Sequence, residues 1–314
     1  MSVFYRVILN AVLYSLFAAL LGYFILQFVL DYRYLFFDGR IRAYRVHVPE
    51  ALPQDAPVPL VLALHQFGDD GLRMERLTRF NAIADREGFI VCYPSGLLLS
   101  WNSSATGNTA GILFQDDERF LLALIAYLKE EYGVDPARIY MTGASNGGFM
   151  TQLMACRHPG LFAAIAPVMG SLEVGDAAVC TPNATLPVLL VHGLLDPIVP
   201  YEGGQPGGFN DPNFISAPAN AAFWAEANGC TETPEFEMAP SADLSYIDTV
   251  TRYGGCNENA EVWLYTVDGG GHNWPGGAYQ YPEEVTGPIR SDINASEMVW
   301  DFFQRHRRES AGSE

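Results

Sequence analysis

The chain has 314 residues, 49% hydrophobic and 17% charged, with 18 basic against 36 acidic side chains and a formal net charge of −18. Such a composition excludes a disordered, collagenous or coiled-coil chain. It also repels polyphosphate, and no local basic stripe is present to bind nucleic acid.

Val7 to Leu30 run for 24 residues without a charge, about 36 Å as a helix against roughly 30 Å of bilayer hydrocarbon. Large apolar residues continue past Ala18 and Ala19, where a cleaved secretory signal would end. Residues 1–30 are therefore expected to be a transmembrane signal anchor contacting the membrane through residues 7–30, with secretion after cleavage as the alternative. Residues 31–38 read as a juxtamembrane linker, 39–308 as one α/β domain and 309–314 as a disordered tail. Arginines stand on both sides of the span, so the positive-inside rule does not orient it.

Short continuous apolar runs mark strands buried on both faces of a parallel sheet. They are Pro59 to His65, Phe89 to Tyr93, Arg138 to Thr142, Ala163 to Val168, Pro187 to Val191 and Glu261 to Val267. Helical patterns separate them at Leu72 to Glu87, Asp116 to Tyr132 and Phe149 to Arg157, and an amphipathic helix from Ser296 to Arg307 closes the chain. The alternation predicts an α/β fold, a mostly parallel sheet flanked by helices. Tyr201 to Pro218, rich in Gly, Pro and Asn, reads as a long excursion within the domain.

Five cysteines stand at 92, 156, 180, 230 and 256. Cys230 and Cys256 flank a polar stretch, and a disulfide between them closes a loop of about 27 residues, worth roughly 3 kcal/mol on the chain-entropy model. Cys156 with Cys180 is a second possibility, and Cys92, in an apolar run, is expected to be a free buried thiol. No C-x-x-C spacing supports a structural metal. A disulfide requires an oxidising compartment, so the domain is expected in the periplasm or outside the cell.

Gly143-Ala-Ser145-Asn-Gly147 follows a predicted strand and precedes a predicted helix, the setting of a nucleophile elbow in an α/β-hydrolase fold. Ser145 is the candidate nucleophile. A serine hydroxyl needs a base, and the base needs a carboxylate, in the order Ser, acid, His. Asp196 lies just past the strand ending at Val191, and His272 sits in a glycine-rich loop after the last strand. Asp117 and Asp268 compete less well, because one precedes the serine and the other stands four residues from His272. An oxyanion needs two donors: the backbone N–H of Asn146, and Gln66 or Phe67 in the loop His65 to Gly68.

The segments Val134 to Gly148, His192 to Gly203, Trp224 to Cys230 and Gly270 to Gly277 resemble the polyhydroxybutyrate depolymerase and feruloyl esterase family of α/β-hydrolases over roughly residues 38–305. The resemblance implies Ser145, Asp196 and His272 as a triad, no cofactor and no metal, and esters of hydroxy acids, hydroxycinnamates or acetylated sugars as substrates. One departure stands out: Gln66 follows His65 where that family has glycine. Trp101 and Trp274, with His65, are expected to contact substrate, the alternative for the tryptophans being internal packing. The expected activity is that of a serine carboxylic-ester hydrolase. An acyltransferase or exopeptidase with the same triad, and a non-catalytic surface module, are the other readings.

Overall fold

The computed structural model describes residues 14, 32–52, 56–104, 116–205, 213–239 and 245–308. Among the described residues ten strands form one sheet: β1 (Arg33–Phe37), β2 (Arg40–His47), β3 (Val58–Leu64), β4 (Ile90–Pro94), β5 (Val134–Ala144), β6 (Ala164–Val168), β7 (Val188–Gly193), β8 (Glu235–Met238), β9 (Thr249–Tyr253) and β10 (Val262–Val267). Their spatial order is β1-β2-β4-β3-β5-β6-β7-β10-β9-β8. Neighbours from β4 to β10 run parallel, whereas β1 and β2 at one edge and β9 and β8 at the other pair antiparallel.

The six apolar runs form the parallel centre, where both faces of every strand need covering. Alternation along β3 divides the core. Leu60, Leu62 and Leu64 face a layer made by α3 (Asp117–Tyr132), α4 (Asn146–Arg157) and α6 (Ala217–Ala227). Val61 and Ala63 face the layer holding α1 (Gly71–Thr78), α2 (Phe80–Glu87) and α8 (Ala295–Phe303). Two short helices, α5 (Val174–Val179) and α7 (Glu283–Thr286), lie in the loops following β6 and β10.

Two expectations are corrected. Residues 33–37, read as linker, are the edge strand β1, because Asp38 (φ 47°) and Gly39 (φ 73°) make the tight turn that pairs Phe37 with Arg40. Positive φ at both central residues is what a right-twisted two-residue hairpin requires. The helix expected from Leu72 to Glu87 is two helices. They meet at Arg79 (φ 53°), where the Ser296 hydroxyl takes up the carbonyl of Thr78. The antiparallel strands β8 and β9 carried no apolar run; all four residues of β8 are exposed. The expected span 7–30, Tyr14 apart, and the tail 309–314 lie outside the described residues. Among the described residues no helix is long and apolar enough to cross a membrane.

Cys230 is bonded to Cys256, joining the end of α6 to the segment after β9, and Cys156 is bonded to Cys180, joining the ends of α4 and α5. Cys92 is free and buried in β4, where burial raises its thiol pKa. Thiol titration of denatured, unreduced protein should therefore find one reactive thiol per chain, rising to five after reduction; more than one before reduction would contradict the pairing.

Candidate active site

The site begins where β5 turns into α4. Ser145 sits at that junction with φ 51° and ψ −115°, an unfavourable backbone conformation for a residue with a Cβ. Its N–H donates to the Val168 carbonyl (2.9 Å), and its own carbonyl accepts from Phe149 N–H (2.9 Å). The flanking glycines make the turn possible. A Cβ on Gly147 would lie 2.3 Å from the Leu64 carbonyl oxygen and 2.6 Å from that of His65, and one on Gly143 would lie 2.3 Å from the Gly147 oxygen. The first turn of α4 thus rests directly on the end of β3.

Asp196 and His272 reach the serine from two other crossings. Asp196 follows β7, and its Oδ1 accepts the N–H groups of Ile198 and Val199, both at 2.8 Å. Its Oδ2 lies 2.7 Å from Nδ1 of His272. With Nδ1–H donating to the carboxylate, Nε2 is left as an acceptor, and it stands 2.8 Å from Ser145 Oγ. All three side chains are buried. The histidine loop is tied to its surroundings: His272 N–H donates to Thr286, Gly271 N–H to Pro288 (2.7 Å), and Leu195 N–H to Gly270 (2.8 Å).

The competing groups have other partners. Asp117 forms a buried ion pair with Arg42 (2.6 Å) and accepts Asn102 N–H (2.8 Å). Asp268 accepts Ile247 N–H (2.9 Å). His192 lies behind Asp196, its Nε2 2.8 Å from the Val199 carbonyl and 3.6 Å from Asp196 Oδ2, and burial lowers its pKa so that it is neutral and donates to that carbonyl.

The three expected substrate contacts are corrected. His65 is wholly buried. Its Nε2 accepts the Gly96 N–H (2.9 Å), which assigns the proton to Nδ1, and Nδ1–H donates to the Gln66 carbonyl (2.8 Å). Trp101 is also wholly buried; its indole N–H donates to the His65 carbonyl (3.0 Å) and its ring centroid lies 4.9 Å from that of His65. Trp274 donates to Ser296 Oγ (3.1 Å) and packs edge-on to Phe80. With rings enclosed and indole donors satisfied internally, neither tryptophan offers a face to a ligand.

A role the sequence did not reveal belongs to the Asn146 side chain. Its Oδ1 accepts Trp101 N–H (2.7 Å), while Nδ2 donates to the Trp101 carbonyl (3.1 Å) and to Ser103 Oγ (2.9 Å). This fastens the elbow to segment 100–103 and leaves the Asn146 backbone N–H at the start of α4. Phe67, by contrast, is exposed on the loop after β3.

A mostly parallel sheet, a strained serine between strand and helix, and a Ser-His-Asp row arriving from three crossings define an α/β-hydrolase. Residues 99–177 match the Prolyl oligopeptidase family. The chain is 32% identical over 278 residues to "Putative esterase NocK" of Nocardia uniformis subsp. tsuyamanensis, covering 84% of this chain and 80% of that one. It is 29% identical over 235 residues to feruloyl esterase B of Piromyces equi, covering 72% of this chain but only 42% of that enzyme. Its fold is similar to that of an acetyl xylan esterase from Aspergillus awamori, with a TM-score of 0.57, 18% identity, and coverage of 83% and 94% of the two chains. The chain belongs to the esterase family of α/β-hydrolases that includes feruloyl esterases and polyhydroxyalkanoate depolymerases, and is a serine ester hydrolase.

The buried histidines give a stability signature. Burial lowers the pKa of His65 and His192, and lowers that of His306 to about 4, against about 6.5 when unfolded. Each contributes stability that is present above pH 6.5 and lost as pH falls, because the unfolded chain takes up protons that the folded chain excludes. Glu173, raised by burial to about 6, and Asp301, also raised by burial, act in the opposite sense but are two groups against three. The urea midpoint should therefore fall between pH 7 and pH 5; a constant or rising midpoint would contradict this.

Proposed function

We propose that Ser145 is the nucleophile, His272 the general base and acid, and Asp196 the group that orients the imidazole. The reading is carried by the continuous contact from Asp196 Oδ2 through His272 to Ser145 Oγ, at 2.7 and 2.8 Å. Ser145 Oγ attacks the ester carbonyl carbon as its proton passes to His272 Nε2, and the imidazolium is stabilised by Asp196. The tetrahedral oxyanion accepts hydrogen bonds from the Asn146 N–H and from an amide of the Gln66–Phe67 loop. His272 then protonates the leaving alkoxide. Water, deprotonated by His272, hydrolyses the acyl-enzyme and restores Ser145. No step passes through a cofactor or metal.

A cavity of about 650 Å³ opens one turn beyond Ser145, lined by Phe149, Leu153, Leu172, Glu173 and Val179 among others. Its size suits a small-molecule ligand. Ser145 itself does not line it, but Ser103, bonded to the Asn146 side chain, does. We assign to this cavity the remote part of a hydroxyalkanoate, hydroxycinnamate or acetylated-sugar ester. A 32–308 hydrolase domain held outside the cytoplasm by a membrane anchor at residues 7–30 fits the uncharged run and the two disulfides.

Ser145→Ala should lower kcat on p-nitrophenyl butyrate by roughly 10⁶ and abolish labelling by a fluorophosphonate, and Asp196→Asn should lower kcat by about 10⁴. Turnover that survives Ser145→Ala would refute the assignment. Val179→Trp, at the cavity wall, should raise KM for methyl ferulate at least about five-fold while leaving KM for p-nitrophenyl acetate within about two-fold; equal KM changes for both esters would remove the cavity from the substrate path.

A further inference from the structure

The turn after β3 is held by one buried carboxylate. Asp69, only 1% exposed, stands on the residue that closes the turn: its N–H donates to the Gln66 carbonyl (3.2 Å), and Gly68 has φ 83°. A positive φ at the third residue is what a type II turn demands.

Four donors converge on the Asp69 side chain from three parts of the chain. Gln66 Nε2 (3.0 Å) and Tyr279 OH (2.9 Å) donate to Oδ2, and Tyr281 OH (2.7 Å) and Arg73 Nη1 (3.3 Å) donate to Oδ1. Burial and the nearby carboxylate raise the pKa of both tyrosines, which keeps them protonated as donors. Tyr279 and Tyr281 belong to the same loop as His272, so a single carboxylate ties the turn beside the elbow to the segment that carries the base.

The consequence falls on one peptide group. The Gln66 carbonyl accepts from His65 Nδ1–H and from Asp69 N–H, and the peptide is trans. In a trans peptide the C=O and the following N–H point in opposite directions, so the Phe67 N–H points out of the turn. Gly68 N–H is already taken by the Leu99 carbonyl at 2.8 Å.

We propose that Asp69 is the positioning residue of the oxyanion loop: by clamping the Gln66 side chain to the Tyr279–Tyr281 segment, it fixes the plane of the Gln66–Phe67 peptide and presents the Phe67 N–H to the oxyanion formed on Ser145. The proposal rests on the acyl-transfer reading above and gives the Gln66 side chain a defined part in holding the loop. Asparagine at position 69 would set its NH₂ against a donor, Arg73 Nη1 or Gln66 Nε2, whichever way it turned, and would lose the charge that pairs with Arg73.

The test uses the full chain with p-nitrophenyl butyrate. Asp69→Asn should lower kcat at least about ten-fold with KM within about two-fold, because a misplaced donor is missed only when charge develops on the oxygen. Affinity for butylboronic acid, which forms a tetrahedral adduct on serine, should fall by a similar factor. Gln66→Ala should act in the same direction, and the double variant should be no worse than the poorer single, since both work through one peptide. Unchanged kcat, an equal rise in KM, or additive losses would overturn the proposal. Where Asp69→Asn does not fold, Gln66→Ala decides by the same split of kcat against KM. Wild-type Ser145 that resists a fluorophosphonate would overturn the acyl-transfer reading and this proposal together, whereas an active wild type matched by Asp69→Asn would overturn this proposal alone.

Discussion

The site depends on how closely the first turn of α4 approaches the end of β3. There is no room between Gly147 and the carbonyls of Leu64 and His65 for even one carbon atom. That approach forces the β5–α4 connection into the strained Ser145 conformation. It also brings the loop after β3 beside the serine. On the proposed reading, the nucleophile and its oxyanion donors are thereby placed by backbone packing, before any flexible side chain is involved, and the stored strain is offset by the burial of the central sheet.

Around that contact the molecule uses fixed hydrogen bonds rather than mobile charges. Asp196 is held by two amides, His272 by Asp196 and by its own backbone bond to Thr286, and the Asn146 side chain by the segment at Trp101. His65 and Trp101, which in isolation suggest ligand contacts, form the support beneath this arrangement. Preorganised dipoles of this kind need little rearrangement as charge develops in the reaction, which is the main source of their catalytic value.

The parallel strands were legible because burial on both faces leaves an uninterrupted apolar run, and the elbow was legible because only glycine fits its flanks. The first hairpin also carried a signal, the Asp38-Gly39 pair between alternating residues, that a reading centred on apolar runs passes over. Strand β8 carried only the four-residue alternation Glu-Phe-Glu-Met, too short to stand out with all its residues exposed, and its pairing with β9 depends on backbone hydrogen bonds. Arg79 could not be recognised as a helix break, because the group that takes the Thr78 carbonyl comes from Ser296, over two hundred residues away.

Local sequence determined the α/β class, the candidate nucleophile, the order of its partners and the cysteine pairs worth considering, since each follows from short-range patterning or from a residue type that one position alone tolerates. Tertiary structure decided which histidine meets which aspartate, that Trp101 and Trp274 are enclosed, and that Asp69 joins two distant loops. Those outcomes depend on distances between segments far apart in the chain, and only the packing of the folded sheet and helices sets them.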